Sequence, residues 1–133
     1  DPAIIKSDDR TVPKSPGQKY RHYSPKAKVI LYKGDIDKIA GKISGDYEKF
    51  KTEGFKVGIM STMQTQKYYE GKLNILLGDR TKPLTISSKL FKTLRDFDHI
   101  GADIILAEAV SEDGLGKAIM NRLGKASSET INV

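Results

Sequence analysis

Five consecutive residues, Lys19, Tyr20, Arg21, His22 and Tyr23, carry the densest chemistry in the sequence. Lys19 and Arg21 are suited to neutralising phosphates, the arginine through a planar fork of N–H donors. Tyr20, His22 and Tyr23 are suited to stacking on a base or hydrogen-bonding a nucleotide. They lie inside "SPGQKYRHYSPK", residues 15–26, which has neither an acid nor an aliphatic side chain. Pro16 and Pro25 hold this stretch extended, so less entropy is lost when it docks. The same residue set suits single-stranded RNA. The plainer alternative is a linker whose aromatics pack on the domain that follows.

Other chemistry is thinner. The ends of the apolar runs described below supply Asp35, Asp79, Glu108, Glu112 and Asp113, an acidic set unlike a phosphate-binding rim. Helix N-capping accounts for Asp35 and Asp113 without any function. "GLGKAI", residues 114–119, has G-x-G, but Ile119 stands where a dinucleotide fingerprint needs a third small residue, and it follows the last apolar run rather than the first. The two histidines are His22 and His99, and His99 is placed to cap a helix end. No metal-ligand spacing and no Ser/His/Asp set stands out, so the residues alone give no catalytic site and no metal site.

Charge sharpens the contrast between the arm and the rest. The chain of 133 residues has a net charge of +6, of which residues 1–28 supply +4 from seven Lys/Arg against three Asp. A basic arm points to phosphate-bearing or acidic partners. There is no cysteine, hence neither a disulfide nor a thiolate metal site, which fits a reducing cytoplasm. No apolar run approaches the roughly 20 residues that span a bilayer, so no membrane partner is expected. The chain opens on Asp1 rather than methionine, which suggests further protein upstream.

The elements that must position these residues alternate regularly. Pro2, Pro13, Pro16 and Pro25 deny residues 1–27 any long hydrogen-bonded run, so this segment reads as an extended arm. "KVILYKGD" (28–35) then reads as a buried strand. Ile36, Ile39, Ala40, Ile43, Tyr47 and Phe50 follow on one helical face, weakened by Gly41 and Gly45. "FKVGIMS" (55–61), "KLNILLGD" (72–79) and "ADIILAEAV" (102–110) read as further strands. A short helix over 62–71, a helix over 84–97 and another over 113–125 connect and follow them, and 127–133 reads as a tail. Short apolar strands flanked by helices predict an α/β fold: a Rossmann-like, open, mostly parallel sheet of four to five strands with helices on both faces, preceded by the arm.

"SPGQKYRHYSPKAKVILY" resembles, nearly residue for residue, the linker of threonylcarbamoyl-AMP synthases of the YrdC/YwlC type, S-P-G-M-K-Y-R-H-Y-A-P-K-A. "EDGLGKAIMNRLGKA" resembles that family's G-L-G-x-A-I-M-N-R-L-x-K-A ending, and "LFKTLRDFDHIGADIILAE" its penultimate helix and strand. Gln18, Ser24 and Gly124 depart mildly from the pattern. The resemblance implies a two-domain enzyme that joins L-threonine, bicarbonate and ATP (with Mg) into threonylcarbamoyl-AMP and pyrophosphate, for modification of tRNA beside the anticodon. Residues 1–27 then form the interdomain linker and 28–126 the Rossmann-like C-terminal domain. The catalytic N-terminal YrdC-like domain is not among these residues, so the chain is expected to bind no cofactor alone and to be inactive alone. It also implies that Tyr23, with Tyr20, Arg21, His22 and Lys19, faces the nucleotide, while Ser15, Pro16, Gly17 and Pro25 set the linker geometry. The partners implied are the chain's own catalytic domain, ATP and threonine through that domain, and tRNA or other tRNA-modification proteins.

Overall fold

Val29, Ile30, Leu31 and Tyr32 are all buried, which a single strand achieves only when both faces of its sheet are covered. A computed structural model describes residues 24–133 and shows how that cover arises. The strands are β1 (Lys28–Lys33), β2 (Val57–Thr62), β3 (Asn74–Gly78), β4 (Ile104–Glu108) and β5 (Glu129–Asn132). The helices are α1 (Ile36–Thr52), α2 (Pro83–His99) and α3 (Leu115–Ala126). All neighbouring strands pair in parallel, in the order β3-β2-β4-β1-β5. The expected parallel α/β layer is therefore present, with five strands.

Alternate residues of β1, β2 and β4 feed two cores. Val29, Leu31, Met60, Ile105 and Ala107 pack with Ile86, Leu90, Leu94 and Phe97 of α2 and Ile119 and Leu123 of α3. Ile30, Tyr32, Ile59, Ile104 and Leu106 pack with Ile39, Ala40, Ile43 and Tyr47 of α1 and with Tyr69. The β1-to-β2 connection runs one way along the sheet over one face. The connections through α2 and α3 run the other way over the opposite face, as crossovers of a single hand must. Gly58 lets α2 approach closely, because a Cβ there would run into the Phe97 ring.

Two sequence expectations change. The short helix after β2 is one 3-10 turn, Gln66–Tyr69, since only a few residues are available to bring the chain back to the start of β3. The expected tail contains a strand: β5 pairs with β1 from Ile30↔Glu129 to Lys33↔Asn132 and completes the sheet edge. Its pattern is faint because only Ile131 is partly buried.

Candidate functional site

The connections leaving β1 and β2 turn to the α1 face, and those leaving β3 and β4 to the opposite face. Open parallel sheets make their ligand crevice where such connections diverge, beyond the carboxyl ends of the strands. Here that place, at the end of β4, is filled by Glu108, whose side chain is 1% exposed. Thr62 Oγ1 (3.1 Å) and Arg80 Nη2 (2.9 Å) donate to its Oε1. Thr65 Oγ1 (2.5 Å) and Tyr69 Oη (2.6 Å) donate to its Oε2. Each carboxylate oxygen thus takes two donors, which exhausts its lone-pair sites.

The donors come from separate elements: the end of β2, the turn after it, the 3-10 helix and the loop after β3. Arg80 is steadied in turn. Its Nε donates to Thr62 Oγ1 at 3.2 Å, and its backbone N–H to Gln64 Oε1 at 3.0 Å. Gln64 Nε2 and the backbone N–H and hydroxyl of Thr81 all donate to Asp79 Oδ1. Gln64 foremost, then Thr81, holds the Asp79 carboxyl below its ordinary value. Burial, then the neighbouring Glu108 charge, pushes the Tyr69 phenol far above its own. Tyr69 therefore stays a donor throughout the neutral range.

A carboxylate with every lone pair engaged offers no place for a substrate proton or a metal ion. Several loop amides are engaged too. Asp79 N–H donates to Thr85 Oγ1, Lys82 N–H to Asp79 O and Thr85 N–H to Lys82 O. After β4, Asp113 N–H donates to Ser111 Oγ and Gly116 N–H to Asp113 O. Among the described residues, no group of three or more His, Cys, Asp or Glu is placed to hold a metal. An open depression of about 550 Å³ lies beside the 3-10 helix, lined by Met63, Gln66, Lys67, Tyr69, Glu70, Gly71 and Asn74. It brings no catalytic set together. The rim is a structural knot.

The rim acids need correcting against the sequence reading. Asp35 does precede α1 but makes no side-chain cap bond. Gly114, not Asp113, occupies the cap position of α3, and the Asp113 carboxylate accepts from Ser111 Oγ. Glu112 pairs with Lys33 at the surface. Glu108 was indistinguishable from these in sequence. Its only signal was an acid at the end of an otherwise apolar strand, which demands buried donors. His99 stands in the last turn of α2, where the contact to the final carbonyls comes from Lys56 Nζ on Ile100 O.

Of the residues assigned to the arm, Lys19, Tyr20, Arg21, His22 and Tyr23, with Ser15, Pro16 and Gly17, lie outside the described residues. Pro25 is described, half-buried, at the arm's root. There Lys26 N–H is 3.1 Å from both carboxylate oxygens of Asp98, and Ala27 N–H donates to Asp98 Oδ1 at 3.2 Å. Lys28 N–H then donates to Asp103 O. The root is thus at the amino edge of the sheet. The Glu108 knot is at the carboxyl edge, about 20 Å away by the rise of β1.

The family described as threonylcarbamoyl-AMP synthase, C-terminal domain, matches residues 2–128. Threonylcarbamoyl-AMP synthase of Pyrococcus abyssi is 48% identical over 118 residues, which are 89% of this chain and 33% of the relative. That of Bacillus subtilis is 35% identical over 121 residues, 91% of this chain and 34% of the relative. The chain thus spans about a third of the length of the curated relatives it matches. The crystal structure of P. abyssi Sua5 complexed with L-threonine superimposes with a TM-score of 0.76 at 43% identity, over 97% of this chain and 38% of that one. The C-terminal Sua5 domain of Pyrococcus horikoshii does so with a TM-score of 0.67 at 34% identity, over 83% of this chain and the whole of that one. The parallel five-stranded layer, its specific arm and these matches together place the chain in the threonylcarbamoyl-AMP synthase C-terminal domain family.

Proposed function

We propose that this chain serves a threonylcarbamoyl-AMP synthase as its accessory domain, with the α/β layer as anchor and the arm as a strap over a catalytic domain outside these residues. The observation that carries this reading is the family match, which runs from residue 2 through the whole arm to residue 128. A single family match across arm and layer supports reading the two together. The saturated Glu108 knot supports the same division of labour, because the layer keeps no reactive group at its usual ligand crevice.

In this reading the partner is the chain's own YrdC-like catalytic domain, in the cytoplasm. That domain binds L-threonine, bicarbonate and ATP with Mg, and this chain alone is inactive. Tyr23, with Tyr20, Arg21, His22 and Lys19, faces the nucleotide. A basic, aromatic strap closing over a triphosphate would shield a labile mixed anhydride from water. In the two-domain enzyme, Tyr23→Ala is expected to slow pyrophosphate release about tenfold, the worth of one base-stacking contact, with little change in melting temperature. An unchanged rate would remove the strap from the mechanism.

A second reading rests on the charge of the arm, +4 over residues 1–28, which also suits delivery of tRNA. It requires tRNA affinity that falls steeply with salt and weakens when Lys19 and Arg21 become alanine. A gel shift without binding at low salt disposes of it. The engagement of several loop amides at the carboxyl edge counts against a nucleotide-sensing role for the layer.

A further inference from the structure

Asp98 is the penultimate residue of α2, where the helix presents its negative pole and an acid is unfavourably placed. Asp96, in the same turn, is balanced by Lys92 one turn earlier, at 2.9 Å. The Asp98 carboxylate reaches the backbone of a segment more than seventy residues away in sequence. Lys26 N–H meets both of its oxygens, and Ala27 N–H meets Oδ1. With Lys28 N–H on Asp103 O, three consecutive amides at the root are bound to remote acceptors. Two successive peptide planes on one carboxylate fix a direction as well as a point.

The residue just before them strengthens this. Pro25 has no N–H to give and a fixed φ, and it confines Ser24 to extended conformations. The arm thus leaves the domain from a base with little torsional freedom left. Asp98 joins that base to α2, a helix packed along the sheet through Ile86, Leu90, Leu94 and Phe97. We infer that Asp98 is a positioning residue, a clasp that sets the direction in which the arm leaves the α/β layer toward the catalytic domain. The functional half of this inference rests on the strap reading above.

The first test is amide hydrogen exchange by NMR on this 133-residue chain. Asp98→Ala is expected to speed exchange at Lys26 and Ala27 at least tenfold, while Val29 and Leu31 in β1 stay slow. Asp98→Asn keeps an acceptor oxygen in place and should fall between the two; it also serves if the alanine variant folds poorly. Unchanged protection at Lys26 and Ala27 in both variants would overturn the clasp.

The second test is kcat/KM for ATP in the two-domain enzyme. Asp98→Ala should lower it several-fold, Asp98→Asn should restore part of the loss, and Asp96→Ala should change nothing. Released amides with an unaltered kcat/KM would overturn the positioning role. If Tyr23→Ala still slows that same enzyme, the strap reading survives such a result. If Tyr23→Ala has no effect either, the strap reading falls with it.

Discussion

At the carboxyl edge of the sheet, Glu108 takes four side-chain donors from the strand ends and loops around it and is sealed from solvent. At the amino edge, Asp98 takes backbone amides of the entering chain at a partly buried site. Both are carboxylates bound to sequence-remote donors, but the surroundings give them different work. A buried carboxylate is costly unless fully paired, so Glu108 ties its neighbours together and stability depends on it. A partly exposed one keeps contact with solvent, so Asp98 is expected to add less stability than Glu108 and to act chiefly through the geometry it imposes. Burial, rather than the number of hydrogen bonds, separates the structural acid from the positioning one.

The sharpest way to break that distinction is to remove the buried acid. Glu108→Ala leaves Arg80 without its counter-charge and two threonines and a tyrosine without their acceptor. It is expected to cost about 3–5 kcal/mol in urea unfolding. A loss below about 1 kcal/mol would show that the knot is wet and the contrast with Asp98 empty. Tyr69→Phe removes one donor from the same carboxylate and should cost about 1.5–3 kcal/mol, the range for a hydrogen bond to a charged group. Asp98→Ala in the same assay should cost no more than about 1 kcal/mol.

Alkaline titration sharpens the comparison. Burial and Glu108 raise the Tyr69 phenol, and burial and Asp46 raise Tyr32, which donates to Asp46 Oδ2 at 2.7 Å. Below about pH 10 both tyrosines hold their protons whether the chain is folded or not, and their contribution is constant. Above it the unfolded chain loses them while the folded chain does not. Stability should then fall by about 1.4 kcal/mol per pH unit for each tyrosine. Tyr69→Phe should remove its share of that slope, whereas Asp98→Ala should leave the slope intact. A slope equal in parent and Tyr69→Phe would mean that the phenol is not held neutral by the knot.

The fold was largely legible in the sequence because the sheet is covered on both faces. Runs such as "KVILYK" and "IILAE" are continuous apolar stretches, and α1 and α2 keep their buried residues at helical spacing. The strand β5 escaped because an edge strand exposes most of its side chains and leaves no period to read. The knot was less legible than the fold. Thr62, Thr65, Tyr69, Arg80 and Glu108 lie up to 46 positions apart and meet only through the strand order, and nothing in their spacing marks them as partners. Asp98 was hidden for a different reason: its partners are backbone amides, which any residue other than proline supplies. The arm is the reverse case. Its composition and its resemblance to a linker were plain in sequence, while residues 1–23 lie outside the described residues.

One measurement bears most directly on the proposed division between an anchoring layer and a chemistry-bearing arm. It is pyrophosphate release from ATP, L-threonine and bicarbonate, by this chain alone and with a separately prepared catalytic domain. The expected result is no release by the chain alone, and faster release by the catalytic domain when the chain is added than when it is omitted. Turnover by the chain alone would contradict the division, because it would require a working site in the layer whose crevice Glu108 fills.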